Sequence, residues 1–345
     1  KNMKWSNSVS FTIGDARATT TITDGLGGTK IITSEGDDSN RIKKNQVVYQ
    51  ISADGVSFFF GAQVGDGGIR LDDNATINGN VFSNGSIGAS NGIITGTVKV
   101  AKKENMIDGL NVSGDAYVDI CINSNIFGIL YASTSINCTA SQFIPSPVEI
   151  ATTSLPISQA QITEWENEAA TGGTYVGDYI LNGGTTYLGP KKIQGNLTVQ
   201  NNAKLFLTGK VWVTGSVNIT NNAIVQLDKN TYHSLSGIII SDGLITLANN
   251  SVSSGSGDAG SYLMYLSISA LNPAIIIQNN AIVDILYTSN GWIEVSNNAQ
   301  LREITGYGIY LKNNSRITYE IGLIDTSFLS GSGGGWKVTS WKEIE

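Results

Sequence analysis

The sequence predicts an all-β protein, a parallel, right-handed β-helix of about 20-residue, three-strand coils with an N-terminal antiparallel β cap and one short α-helix. Three observations carry this. Six Asn-Asn pairs recur in the second half, at Asn201-Asn202, Asn221-Asn222, Asn249-Asn250, Asn279-Asn280, Asn297-Asn298 and Asn313-Asn314, each followed by Ala or Ser. Apolar residues precede every pair with period 2, as in Leu197 and Val199, Val217 and Ile219, or Ile309 and Leu311, the spacing of a strand with one buried face. The composition is 41% hydrophobic but only 14% charged, with 40 Gly in 345 residues, so neutral Asn, Ser and Thr supply the polarity.

The copies at Gly195 and Gly215 define the coil. Leu197/Val217, Val199/Ile219, Asn201/Asn221, Ala203/Ala223 and Leu205/Val225 match at an offset of 20, and three short alternating runs lie inside that offset. Asn and Gly accept left-handed backbone conformations, so each junction bends the chain between strands. Stacked Asn side chains at such bends form a hydrogen-bonded ladder, to which Asn74 of a looser upstream copy is added. Longer spacings imply inserted loops, notably Ser253 to Asp258, where a binding face would be built.

Residues 1–60 read as an antiparallel meander capping one end, with alternating segments parted by turns such as Asp24 to Gly28. Residues 61–140 form a first coil region. Residues 141–173 hold Pro145, Pro147 and Pro156 and then an amphipathic helix, with Ser158 and Gln161 as a capping box, Ile162, Trp165 and Ala169 as its apolar stripe, and Glu164, Glu166 and Glu168 facing solvent. Residues 174–345 form a second coil region, in which Trp336 to Trp341 is a strand covering the last coil. Cys121 and Cys138 lie about one coil apart, which suits a disulfide between adjacent rungs; two buried thiols are the alternative.

Chemistry is sparse. A lone histidine, His233, leaves little room for imidazole-based metal or nucleophile sites, so no cofactor, metal site or catalytic residue is expected. A net charge of -7 without a long basic run argues against nucleic acid. The Asp37-Asp38 and Asp72-Asp73 doublets point to opposite sides of a strand, and Asp66, Asp242 and Asp258 read as turn residues. Arg70 with Asp72 and Asp73 is the nearest approach to a catalytic cluster, and the Asp66 and Asp72 regions offer oxygen ligands in neither Ca²⁺ repeat spacing. Tyr179, Tyr187, Trp212, Trp292, Tyr307, Tyr310 and Tyr319 include a candidate outward row for stacking on sugar rings, with core or ordinary surface positions as the alternative.

The runs Phe60 to Gly68, Asn78 to Gly85, Leu155 to Ser158, Leu188 to Ile193 and the ending Trp336 to Glu343 resemble a family of bacterial surface proteins in which a pilin-like helix, similar to those of type IV pilus assembly proteins, precedes a β-helical ectodomain. The resemblance implies an extracellular, cell-surface protein whose membrane attachment would use a segment not contained in these residues, and it implies no catalytic residues. The expectation is a non-enzymatic structural or adhesive surface protein, pilus-associated or filament-forming, with partners among its own copies, other pilus subunits or a glycan. The competing expectations are a carbohydrate-active β-helix (a lyase, a hydrolase or a tailspike-like depolymerase) and a glycan-binding adhesin.

Overall fold

Alternating apolar and polar residues cut every few positions by Asn or Gly leave strands as the element whose period fits, and strands dominate the computed structural model, which describes residues 8–24, 30–38, 41–51, 53–145, 149–329 and 336–344. The chain divides into two units, Lys1–Asp54 with Ser332–Glu345, and Gly55–Gly331.

In the first unit, Ser8–Ile13, Ala16–Asp24, Lys30–Asp38 and Arg41–Ile51 pair antiparallel in chain order. Gly14, at φ 60°, lets the first pair reverse in two residues. The turn expected at Gly25 to Gly28 lies outside the described residues. Trp336–Ile344 pairs antiparallel with Arg41–Ile51, so it is the fifth strand of this sheet and not the strand over the last coil that the sequence suggested.

The second unit is built from long parallel ladders in three columns. In one, Leu197, Val217, Ile245, Ile275, Ile293, Ile309, Ile69, Ile87, Ile107 and Cys121 stand one above the next. Each is at most 4% exposed, so the inward positions of successive rungs form a continuous apolar interior. The order along the ladder is not the order in sequence. Glu303–Leu311 pairs with Ala62–Asp72, and Arg316–Thr318 with Thr76–Asn78. The last rung of the second coil region therefore stacks on the first rung of the first, and the pairing runs from 174 to 318 and continues from 62 to 145. This is the physical reason that the last coil takes no covering strand: Leu311 already meets Leu71.

The bends follow the asparagines. Both members of all six Asn-Asn pairs, and Asn74, have φ between 53° and 62°, the left-handed region that Asn tolerates better than other side chains. Cys121 and Cys138 form a disulfide with Cα atoms 6.4 Å apart, tying together the last two rungs before Pro145.

Between the two coil regions the chain returns along one outward face. The Lys102 N–H donates to the Ile150 carbonyl, Asn84 exchanges hydrogen bonds with the Thr153 backbone, Gln63 Nε2 donates to the Ser154 carbonyl at 2.8 Å, and the Tyr287 hydroxyl donates to the Ile157 carbonyl at 2.9 Å. The helix Gln159–Ala170 follows, with Ser158 Oγ accepting from the Gln161 N–H. Ile157, Ile162 and Trp165 close a second core over Ile238, Ile240, Met264, Leu266, Ile285 and Tyr287, the outward side of one ladder. Glu168 differs from its expected position: it is buried, paired with Lys210. It lies three residues after Trp165, on the same helix face.

Candidate functional site

Side chains on neighbouring rungs come together on the outward faces of the second unit. The Arg70–Asp72 pair of the sequence reading is one such place. Arg70 Nε meets Asp72 Oδ2 at 2.7 Å, and the Tyr310 hydroxyl donates to the same oxygen at 3.0 Å from the rung stacked beside it. Its own hydrogen bond to Asp72 and the charge of that carboxylate raise the Arg70 guanidinium above its ordinary value. Asp72 Oδ1 is buried without a hydrogen-bond partner. Asp73 does not join this cluster through any hydrogen bond of its side chain; it occupies the bend at φ 51°. Asp66 pairs with Lys102, Asp242 accepts from Trp212 Nε1, and Asp258 pairs with Lys229, so the structure scatters these carboxylates. Among the described residues no group of three His, Cys, Asp or Glu is placed to hold a metal ion.

Sequence reasoning missed a second charged cluster at the inserted loop. Asp284 accepts from the Gly255 and Leu263 N–H groups and from Arg302 Nε at 2.8 Å, while Arg302 also pairs with Glu320. Burial raises the Asp284 carboxyl above the ordinary range, opposed by these donors. Nearby Glu303 is fully buried, with Thr305 donating to one oxygen and no partner on the other, and burial pushes it well above the usual carboxylate value. Parallel stacking of Asp284 and Arg302, 18 positions apart, is the only sequence signal, and the loop insertion between earlier rungs conceals it.

The aromatic residues do not form the single row considered from sequence. Tyr187 stacks on Phe206, Trp212 lies under Lys192 Nζ at 3.5 Å, Tyr310 serves Asp72, and the Tyr319 hydroxyl donates to the Phe58 carbonyl. A different set gathers on one outward column: Phe82, Lys99, Tyr117 and Tyr131 occupy the same position on successive rungs. Tyr117 and Tyr131 stack with ring centres 4.4 Å apart and planes within 4°, and Phe60 lies 5.6 Å from Phe82. Of these, Phe60, Lys99 and Tyr117 border, with Asn80, Val81 and Thr97, a cleft of about 270 Å³. Lys99 Nζ stands 5.6 Å from the Tyr117 ring centre. An aromatic wall beside an amide and an ammonium group can stack on a sugar ring and hydrogen-bond its hydroxyls.

The bend asparagines form two hydrogen-bonded columns. Asn313, Asn297, Asn279, Asn249, Asn221 and Asn201 each donate Nδ2 to the Oδ1 of the preceding one, ending on Asn182, at 2.7 to 3.1 Å. Asn298, Asn280 and Asn250 do the same down to Asn222, at 3.1 to 3.3 Å. Asn202, Asn314 and Asn74 share the bend conformation.

No family model and no curated protein matches the chain. Among solved structures it is similar to the crystal structure of the competence-associated pilin ComZ from Thermus thermophilus, with a TM-score of 0.35 and 11% identity over 98% of this chain and 88% of that one.

Proposed function

We propose that this chain is an extracellular, non-enzymatic β-helical surface protein, a structural or adhesive subunit that is pilus-associated or filament-forming. The observation that carries the reading is the ladder itself. Three columns of parallel strands run through both coil regions, with apolar interiors, asparagine ladders at the bends and a disulfide near one end. Among the described residues the strands of each rung pair with those of the rungs next to it, the construction that gives solenoids their length and their repeated outward faces. A disulfide suits an oxidising, extracytoplasmic setting. The link to pili rests on the resemblance seen in the sequence. Brief protease treatment and immunogold labelling of intact cells test the location; a protein protected from both until lysis would end the surface reading.

The glycan-binding form of the proposal has its own support in the cleft of Phe60, Asn80, Lys99 and Tyr117. Glycan-array binding that falls on Tyr117→Ala without chain cleavage supports an adhesin. Shortening of a polysaccharide, lost on Asp72→Ala, would instead favour a carbohydrate-active enzyme.

A further inference from the structure

The two terminal rungs of the second unit are complementary. At one end, Thr174–Val176, Tyr179–Asn182 and Thr185–Leu188 pair, among the described residues, only with the rung that follows. At the other, Thr134–Ile136 and Thr139–Pro145 pair, among the described residues, only with the rung before. Both rungs leave large apolar side chains in solvent: Val176 is 76% and Ile180 62% exposed at the first, Ile136 49% and Phe143 45% at the second. Sheet edges are ordinarily protected by charges, bulges or prolines. Here residues 134–145 contain no charge and residues 174–188 only Asp178, whose Oδ1 is engaged by Asn196 of the following rung. The proline at the edge is Pro145, the last residue of its strand.

These ends are the start and the finish of one parallel ladder, so the start of a second copy meets the finish of the first with strands running the same way. The registers, followed rung by rung, set the side chains that face one another. Ile180 of one copy falls over Ile136 of the other, Thr174 over Ile144 and Thr185 over Thr139. The exposed isoleucines thus coincide. The fold already contains a junction of this kind between segments far apart in sequence, where Ile309 stacks on Ile69, Leu311 on Leu71 and Ile317 on Ile77.

We propose that rung 174–188 of one copy and rung 134–145 of another form a head-to-tail contact that continues the parallel ladder from subunit to subunit. The proposal rests on the filament-forming reading above and names its contact. Two different surfaces at opposite ends of one stacking direction propagate into a filament rather than close as a pair.

The experiment uses the full chain, with sedimentation and negative-stain microscopy over a range of concentrations. Wild type is expected to form filaments. Ile180→Lys and Ile136→Lys, both at exposed positions, are each expected to reduce sedimenting polymer by roughly tenfold or more, with unchanged circular dichroism melting. A mixture of the two variants stops at dimers, because each retains one competent end. Ile180→Cys mixed with Ile136→Cys gives a disulfide-linked dimer under mild oxidation, while either alone does not. Wild type that stays monomeric at every concentration, or lysine variants that polymerise like wild type, overturns the proposal. Surface labelling of cells is scored separately, so a monomeric protein found on the surface sinks this contact and leaves the location standing.

Discussion

Replacement of Asn249 by Ala and by Gly separates the two physical roles of a bend asparagine. Asn249 has φ 55°, donates Nδ2 to Asn221 Oδ1 at 3.0 Å and accepts from Asn279 Nδ2 at 3.0 Å. Both substitutions remove the two side-chain hydrogen bonds, which at an exposed site are worth about 0.5 kcal/mol each, the low end of the usual range. Only alanine also carries a Cβ into the left-handed region, at about 1–2 kcal/mol. Glycine enters that region freely but adds about 0.5–1 kcal/mol of chain entropy to be lost on folding. Asn249→Ala is therefore expected to destabilise by about 2–3 kcal/mol and Asn249→Gly by about 1.5–2 kcal/mol, a gap of several tenths to 1 kcal/mol. Urea unfolding followed by circular dichroism measures both, with hydrogen exchange of residues 245–254 as the local readout. If Asn249→Gly is as damaging as Asn249→Ala or worse, backbone conformation is not what selects asparagine at these bends. If both are silent, the side-chain columns contribute nothing measurable.

Three further outcomes follow from buried groups. Trp165 is fully buried and its ring lies 5.1 Å from that of Phe328, so Trp165→Ala should cost about 3–5 kcal/mol and release protection of 159–170 before that of the ladder, as hydrogen exchange would reveal. Cys121→Ser with Cys138→Ser opens a 17-residue separation and should cost about 3 kcal/mol, loosening residues 107–140 while 197–227 keep wild-type exchange rates. Burial raises Glu303 above its unfolded value of about 4.3, so its contribution is fully present below that pH and is lost as pH rises through the folded value. Glu303→Gln should melt like wild type at pH 4 and higher than wild type at pH 8. Asp284, also raised by burial, leaves a smaller slope of the same sign, and identical pH profiles for variant and wild type would remove Glu303 as the cause.

Much of the second unit is legible because its determinants are local. Period-2 alternation marks Leu197–Gln200 or Val217–Ile219 as strands, and Asn-Asn marks the bends between them. Cys121 and Cys138 are legible for the same reason, since one coil of separation places them on neighbouring rungs. The charged clusters are not. Arg302 reaches Asp284 only after stacking, and Tyr310 reaches Asp72 from a segment 238 positions away. Coil length also varies, so Phe82, Lys99, Tyr117 and Tyr131 share one column without sharing one sequence interval. Glu168 is likewise not legible as a solvent-facing residue, because its place one turn from Trp165 puts it beside Lys210.

The order of the rungs is the deeper case. An interior made of Ile, Val and Leu at equivalent positions lets almost any rung stack on any other, so inward residues specify that rungs stack and not which ones. Specificity must come from features that differ between rungs, and the returning segment 149–170 supplies them. It engages Lys102, Asn84 and Gln63 of the first coil region, then Tyr287 and Lys210 of the second. One connection thus spans the seam where Leu311 meets Leu71, and its polar contacts are made only when the two regions are joined in that order. The terminal rungs have no such segment across their free edges among the described residues, which leaves the same unspecific stacking chemistry open to a second copy.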